Sequence, residues 1–203
     1  TADVTRTIPV DGTFSKKQKD IYELVLEAIQ EATKELVPGK GIYVAHHKAT
    51  DIIINGLHDL GLVTDPQSQW QREFYTLYPI SHWLGLDVHD VGYYGKNNIH
   101  GNRGDMVNKQ LEGRVLEPGM VLTIEPGIYL REDALEDIEL RLKGKVTQSE
   151  LEAFLEKVKP VYQKYKGIGV RIEDDVLITQ EGNEVLSEKA PKTIKEIEDM
   201  MER

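Results

Sequence analysis

Ser81-His82-Trp83-Leu84-Gly85-Leu86-Asp87-Val88-His89-Asp90-Val91-Gly92 sets two histidines seven positions apart among glycine, aspartate and apolar residues. Neutral imidazole is the commonest protein ligand for a transition metal, and the alternation from Leu84 to Val88 predicts a strand that aims successive side chains at opposite faces. A strand holds a ligand more firmly than a loop does. Two histidines in one segment are more often ordinary surface or core residues, so the carboxylates that complete a metal site must come from elsewhere in the chain.

The chain has 203 residues, 39% hydrophobic and 7% aromatic, which is enough for one substantial domain with a real core. A formal net charge of −10 argues against nucleic acid or anionic membrane as the main partner, because phosphate binding needs a basic footprint. No apolar run approaches the length of a transmembrane helix and the first residues lack the features of a signal peptide, so the expected location is cytoplasmic. The absence of cysteine removes disulfides and thiolate metal sites, which leaves histidine and oxygen as ligands. The chain opens on Thr1, and Val4, Thr5, Thr7, Ile8 and Pro9 already read as strand and turn, as though it begins within a domain.

Working outward from the histidine run, helical and strand-like stretches follow one another. Ser15 with Gln18 three residues on is a capping-box signature, and Ile21, Leu24, Val25, Ala28, Ile29, Ala32 and Leu36 repeat at helical spacing until Pro38-Gly39. A second helix is predicted from about Tyr43 to Leu60, with Gly61 as its C′ residue. His46, His47 and His58, on or beside it, read as polar residues of a partly exposed helix. A Gly/Asn/Lys-rich loop from Gly95 to Gly104 carries His100, and the segment from Leu116 to Gly127 reads as a strand between two Pro-Gly turns. Residues Asp133 to Tyr165 are charged and helical in pattern, interrupted at Gly144, and are expected to form a helical hairpin inserted between strands with a solvated face. Gly167 to Thr179 alternates like a pair of strands with acids at the centre, and Pro191 to Met201 reads as a short amphipathic helix.

Four candidate ligands lie on strand-like stretches near glycine or proline: Asp3, His82, Glu125 and Glu173. Each has a plainer reading, as a terminal acid, a strand-end charge or part of a solvated edge. Such separations are expected where adjacent strands of one sheet assemble a site. Oxygen-rich ligation with one imidazole suits Mn²⁺, Co²⁺, Fe²⁺ or Zn²⁺, and shared carboxylates hold two ions roughly 3.5 to 4 Å apart.

Taken in order, Asp3-Val4-Thr5-Arg6-Thr7, then Ser81-His82-Trp83-Leu84-Gly85 with Val88-His89-Asp90, then Glu125-Pro126-Gly127, then Arg171-Ile172-Glu173-Asp174, resemble the aminopeptidase P and prolidase family, from residue 1 to about residue 189. The wording from Ser81 to Asp90 looks closer to aminopeptidase P. The resemblance implies an α+β, pita-bread fold, with residues 1–203 as the C-terminal part of a metallopeptidase catalytic domain and 133–165 as a helical insertion within it. It implies hydrolysis of the bond between an N-terminal residue and a following proline, through a water activated by two divalent metal ions, Mn²⁺ first among them. The implied partners are peptides with proline in second position, and a homo-oligomer for a full-length protein. By the same resemblance Asp3 is a bridging aspartate, His82 and Glu125 bind one ion, and Glu173 is the second bridging carboxylate. His89 is implied to contact substrate and the tetrahedral intermediate, and Arg171 to order the site. The alternatives are a non-catalytic homologue that binds peptides or proteins on the same fold, and an Xaa-Pro dipeptidase.

The sequence also departs from the family. The family's first metal aspartate lies upstream of the one that Asp3 matches, so a fragment, with weak metal binding and little activity of its own, is expected. The His-Gly pair that commonly ends two residues before the serine of the histidine motif is Tyr78-Pro79 here, and the tyrosine hydroxyl can donate a similar hydrogen bond.

Overall fold

A computed structural model describes residues 1–95 and 110–202. Helix α1 (Lys16–Thr33) starts as predicted: Ser15 Oγ accepts the Gln18 N–H and Gln18 Oε1 accepts the Ser15 N–H, closing the capping box. It ends at Thr33, before the Pro38-Gly39 pair, where Thr33 Oγ1 donates back to the Ile29 carbonyl and the Glu35 and Leu36 amides close successive turns. Helix α2 (Ile42–Asp59) packs against α1 and stops in a Schellman motif. Gly61, at φ 80°, donates to the His58 carbonyl, and Leu62 N donates to the Leu57 carbonyl. The left-handed backbone there is the reason for the glycine. Against expectation His46 is buried rather than partly exposed, whereas His58 lies on the outer side. Helix α3 (Gln69–Tyr75) had no clear signature in the sequence. Its Gln71 turns inward, accepts the Thr64 and Asp65 amides, and so satisfies a buried amide.

Among the described residues five short strands follow: β1 (Val121–Ile124), β2 (Gly127–Tyr129), β3 (Gly169–Arg171), β4 (Asp174–Ile178) and β5 (Asn183–Val185). They form an antiparallel β1-β4-β5 sheet and an antiparallel β2-β3 pair. The run from Gly167 to Thr179 contains two strands as predicted, but β3 and β4 lie end to end and pair with β2 and β1, not with each other. Both ladders share one register. Val121 faces Leu177, Ile124 faces Asp174 and Gly127 faces Arg171, so Glu125 stands opposite Glu173 where the two ladders meet.

Two further stretches lie along this ribbon. Residues 80–84 run antiparallel to β1, through Glu125 N to Ile80 O at 2.7 Å, Thr123 N to His82 O at 2.9 Å and Leu84 N to Val121 O at 3.1 Å. Residues 3–7, predicted as strand and turn, run beside the start of β4, with Arg6 bridged to Ile172 and Glu173 N donating to Thr5 O at 3.0 Å.

The strand predicted from Leu84 to Val88 is not formed. The chain bends from Gly85 to His89, leaving Leu86 95% exposed, while the Asp90 carboxylate accepts the Leu86 amide at 3.0 Å. A Cβ at Gly85 would lie 1.8 Å from Asp90 Oδ2, so a side chain at this bend would displace the Asp90 carboxylate. A short-range hydrogen bond thus overrides the apolar alternation.

The link from β2 to β3 holds α4 (Ile138–Arg141) and α5 (Gln148–Tyr165), joined through Gly144 at φ 77°. The charged segment is not merely a solvated hairpin. Leu151, Phe154, Val158 and Tyr162 are buried, and Phe154 meets Trp70 edge-on at 5.0 Å. Helix α6 (Ile194–Met201), capped by Thr193 and Glu196, closes the chain and buries Ile197. Beyond Gly95, the loop with His100 lies outside the described residues. Among the described residues no helix is long and apolar enough to cross a membrane.

Candidate metal centre

Four neighbouring strips meet where the ribbon changes ladder: residues 80–84, 121–125, 173–178 and 3–7. The strand period of two puts Thr123 and Glu125 on one face, Glu173 and Asp175 on the same face of the next strip, and Asp3 and Thr5 beyond them. Ligand atoms of Asp3, His82 and Glu173 all lie within 4.8 Å of one another. His82 Nε2 is 3.4 Å from Asp3 Oδ2 and 3.4 Å from Glu125 Oε1. All four sequence candidates are therefore gathered, with the second oxygen of Glu125, Oε2, in a 2.9 Å ion pair with Arg171 Nη1.

Surrounding polar groups orient these side chains. His82 Nδ1 lies 3.1 Å from the Trp83 carbonyl, which favours the proton on Nδ1 and leaves Nε2 as a free donor atom facing the acids. Thr123, fully buried, accepts the His82 amide at 3.1 Å and donates to Glu125 Oε1 at 3.4 Å. The Thr5 hydroxyl donates to Glu173 Oε2, and both oxygens of Asp175 receive the Asp3 amide at 3.2 Å. Arg171 Nε donates to Tyr129 Oη at 2.7 Å. His89, exposed on the bend, stacks at a tilt on His82 with ring centroids 4.3 Å apart. No supporting role for Thr5, Thr123, Tyr129 or Asp175 is legible in the sequence beyond their spacing of two from Asp3, Glu125, Gly127 and Glu173.

The charges of the cluster are unbalanced. Burial, then the facing Glu173, pushes the Glu125 carboxyl up to about 7, with Arg171 opposing. Burial also raises Glu173, against the Thr5 hydrogen bond, and Asp175, against the Asp3 amide. Burial works against the Arg171 charge, but Glu125 and Tyr129 outweigh it and hold the guanidinium more firmly protonated. Like charges opposed across a ladder destabilise it, and one guanidinium cannot neutralise four carboxyls. Crowded carboxylate oxygens with one imidazole nitrogen match the donor set of a divalent transition ion. Beside this cluster Ile53, Tyr78, Pro79, Ile80, Tyr129 and Arg171, among others, line a narrow crevice with room for about one water. Tyr78 meets Tyr129 edge-on at 5.8 Å, and the Arg171 guanidinium lies over both rings, at 6.0 and 5.7 Å.

The chain is similar to known aminopeptidases. The chain is 43% identical over 204 residues to an Xaa-Pro aminopeptidase of Haemophilus influenzae, covering 98% of this chain and 38% of that protein. It is 36% identical to the Escherichia coli Xaa-Pro aminopeptidase, with coverage of 98% and 37%. The solved structure of Pseudomonas aeruginosa aminopeptidase PepP matches with a TM-score of 0.73 and 40% identity, over 99% of this chain and 38% of that one. A zinc-substituted Escherichia coli aminopeptidase P in complex with product matches equally well, with a TM-score of 0.73 and 36% identity over 98% of this chain and 37% of that chain. The chain thus spans well under half the length of these relatives, and its α+β architecture is that of the pita-bread aminopeptidases P. With residues 1–180 matching the family as well, this chain belongs to metallopeptidase family M24.

Proposed function

We propose that this chain carries the metal-centred part of an Xaa-Pro aminopeptidase, which hydrolyses the bond between an N-terminal residue and a following proline. The observation that carries the reading is the opposition of Glu125 and Glu173 across the ribbon, with Asp3 and His82 within ligand reach. In this reading residues 1–203 form the C-terminal part of the catalytic domain, and 133–165 a helical insertion in it. Asp3, His82, Glu125 and Glu173 would hold two divalent ions, Mn²⁺ by preference. When bound, such ions supply the Lewis acidity that makes a water nucleophilic near neutral pH.

The chain's own groups then divide the remaining work. His89, exposed beside His82, donates a hydrogen bond to the carbonyl oxygen as negative charge develops there. Arg171 holds Glu125 at 2.9 Å and keeps its carboxyl directed at the cluster. The apolar and aromatic wall of Tyr78, Tyr129, Pro79 and Ile80 beside the cluster supports proline selectivity, because a tertiary amide has no N–H to recognise and must be chosen by apolar contact.

The test is hydrolysis of a peptide with proline in second position, by a protein containing this chain, with Mn²⁺ supplied and then chelated. Activity is expected only with the metal, and His82→Ala is expected to lower it at least a hundredfold. Undiminished hydrolysis by chelated His82→Ala protein would sink the reading. A peptide of three or more residues separates the aminopeptidase from a dipeptidase.

A further inference from the structure

The reverse face of the ligand-bearing strip holds a second charged cluster. Arg6 points away from Asp3, Thr5 and Thr7 by the strand period, and all five of its guanidinium N–H donors are used inside the protein. Nε donates to Pro191 O at 2.9 Å; Nη1 donates to Thr5 O at 2.9 Å and Glu173 O at 2.6 Å; Nη2 donates to Asp174 Oδ1 at 2.6 Å and Ala190 O at 3.2 Å. Asp174 is 1% exposed and also receives Lys192 Nζ at 2.6 Å and Ser187 Oγ at 2.7 Å. The Lys192 carbonyl in turn accepts from Tyr22 Oη of α1 at 2.9 Å. One guanidinium therefore joins residues 5–6, 173–174 and 190–191.

On the front face the carboxylates of Asp3, Glu173 and Asp175 crowd together and repel one another. The strip that carries Asp3 meets the ribbon through few contacts: the bond from Glu173 N to Thr5 O, the exchange of Thr7 Oγ1 with the Arg171 backbone, and the side chains of Thr5 and Asp175. The Arg6 fork binds the carbonyls at both ends of the Thr5–Glu173 pairing and can resist that repulsion without occupying the site. A lysine carries the same charge, but its three donors at one point cannot span four separate carbonyls.

We propose that Arg6, backed by Asp174 and Lys192, is a positioning residue that clamps the Asp3 strip to Glu173 from behind, so that the 187–192 segment sets the metal affinity of the site. This rests on the metal-centre reading above. It is tested with Co²⁺ as probe, by calorimetry, by the visible absorption of the bound ion, and by amide hydrogen exchange in the metal-free chain. Arg6→Lys is expected to weaken Co²⁺ binding by about 10- to 100-fold, as loss of an outer partner does. It should also shift the Co²⁺ spectrum and speed exchange at the Asp3 and Glu173 amides. Lys192→Met should do the same to a lesser degree, several-fold in affinity. Leu151→Ala, a core change in α5, should lower the melting temperature and leave all three readings at wild type.

Wild-type affinity, spectrum and exchange in Arg6→Lys would overturn the proposal, as would destabilisation like that of Leu151→Ala with an unchanged Co²⁺ spectrum. Should Arg6→Lys fail to fold, Lys192→Met decides by the same readings, because it leaves the Arg6–Asp174 pair in place. His82→Ala separates the two layers of inference: Co²⁺ affinity unmoved by that change would refute the metal centre, and amide exchange in Arg6→Lys would still judge the clamp.

Discussion

In the layer of α1 and α2, Ile21, Val25, Ala28, Ile53, Ile54 and Leu57 are buried among other apolar side chains and need no particular partner. Across the ribbon, Glu125, Glu173, Asp174 and Asp175 are buried almost as completely, and each is met by a named donor: Arg171, Thr5, Arg6 with Lys192, and the Asp3 amide. The first region is stabilised by removing surface from water, an effect without direction. The second opposes folding until its charges are matched, because a buried carboxylate costs several kcal/mol unless paired. The contrast shows where this fold stores stability and where it gives some up to hold acids close together.

The largest effect is expected on the helical side. Leu57→Ala is expected to destabilise the chain by about 3 kcal/mol, from lost transfer energy and a residual cavity, as read by urea unfolding. Metal affinity of the protein that remains folded should stay within a factor of two of wild type; a tenfold loss would mean that the two regions are coupled.

pH reaches the acidic side instead. The Glu125 carboxyl rises from 4.5 in the unfolded chain to about 7 in the fold, so the folded state binds that proton more tightly. Stability of the metal-free chain should therefore fall as pH rises from 4.5 to 7 and level off above, by on the order of 3 kcal/mol at about 1.4 kcal/mol per pH unit. Asp174 acts in the opposite sense. Burial raises its carboxyl, but Lys192, Ser187 and Arg6 together hold it below its ordinary 3.8, so its contribution is present above that pH and is lost as pH falls further. Unfolding midpoints across pH 3 to 9 should peak between about pH 4 and 5, and Mn²⁺ should flatten the alkaline limb by taking the place of the proton. A midpoint that climbs from pH 5 to 8 without metal would contradict the crowding of Glu125 and Glu173.

A smaller effect sharpens the contrast at one side chain. Thr123→Val keeps the shape but leaves the His82 amide without its acceptor, at about 1–2 kcal/mol by chemical denaturation, and it should lower metal affinity as well. Loss of stability with unchanged affinity would show that Thr123 only supports the strand. Ser15→Ala, which removes the cap of α1, is expected to cost about 1 kcal/mol or less and to leave metal binding untouched.

Legibility followed the same division. The start of α1 was written in Ser15 and Gln18, and the end of α2 in Gly61, because capping bonds join residues a few positions apart. Helix α3 and strand β5 are too short for their periodicity to stand out. The alternation from Leu84 to Val88 misled, since Asp90 bends the chain back at Gly85 and leaves Leu86 in solvent. Asp3, His82, Glu125 and Glu173 could be singled out by their motifs, but not the pairing of Arg171 with Glu125 or of Arg6 with Asp174.

By itself the sequence determined the helices with caps, the apolar stripes that bury them, and the family motifs with their four candidate ligands. Only the tertiary structure decided that Glu125 stands opposite Glu173, that Thr5 and Asp175 hold the acids in place, and that Arg6 ties both ends of the chain together behind them. The physical reason is range. A cap or an apolar stripe is satisfied within one turn or one face of a helix, whereas a hydrogen bond spanning 168 residues of chain, like that from Thr5 to Glu173, exists only once the sheet has set its register.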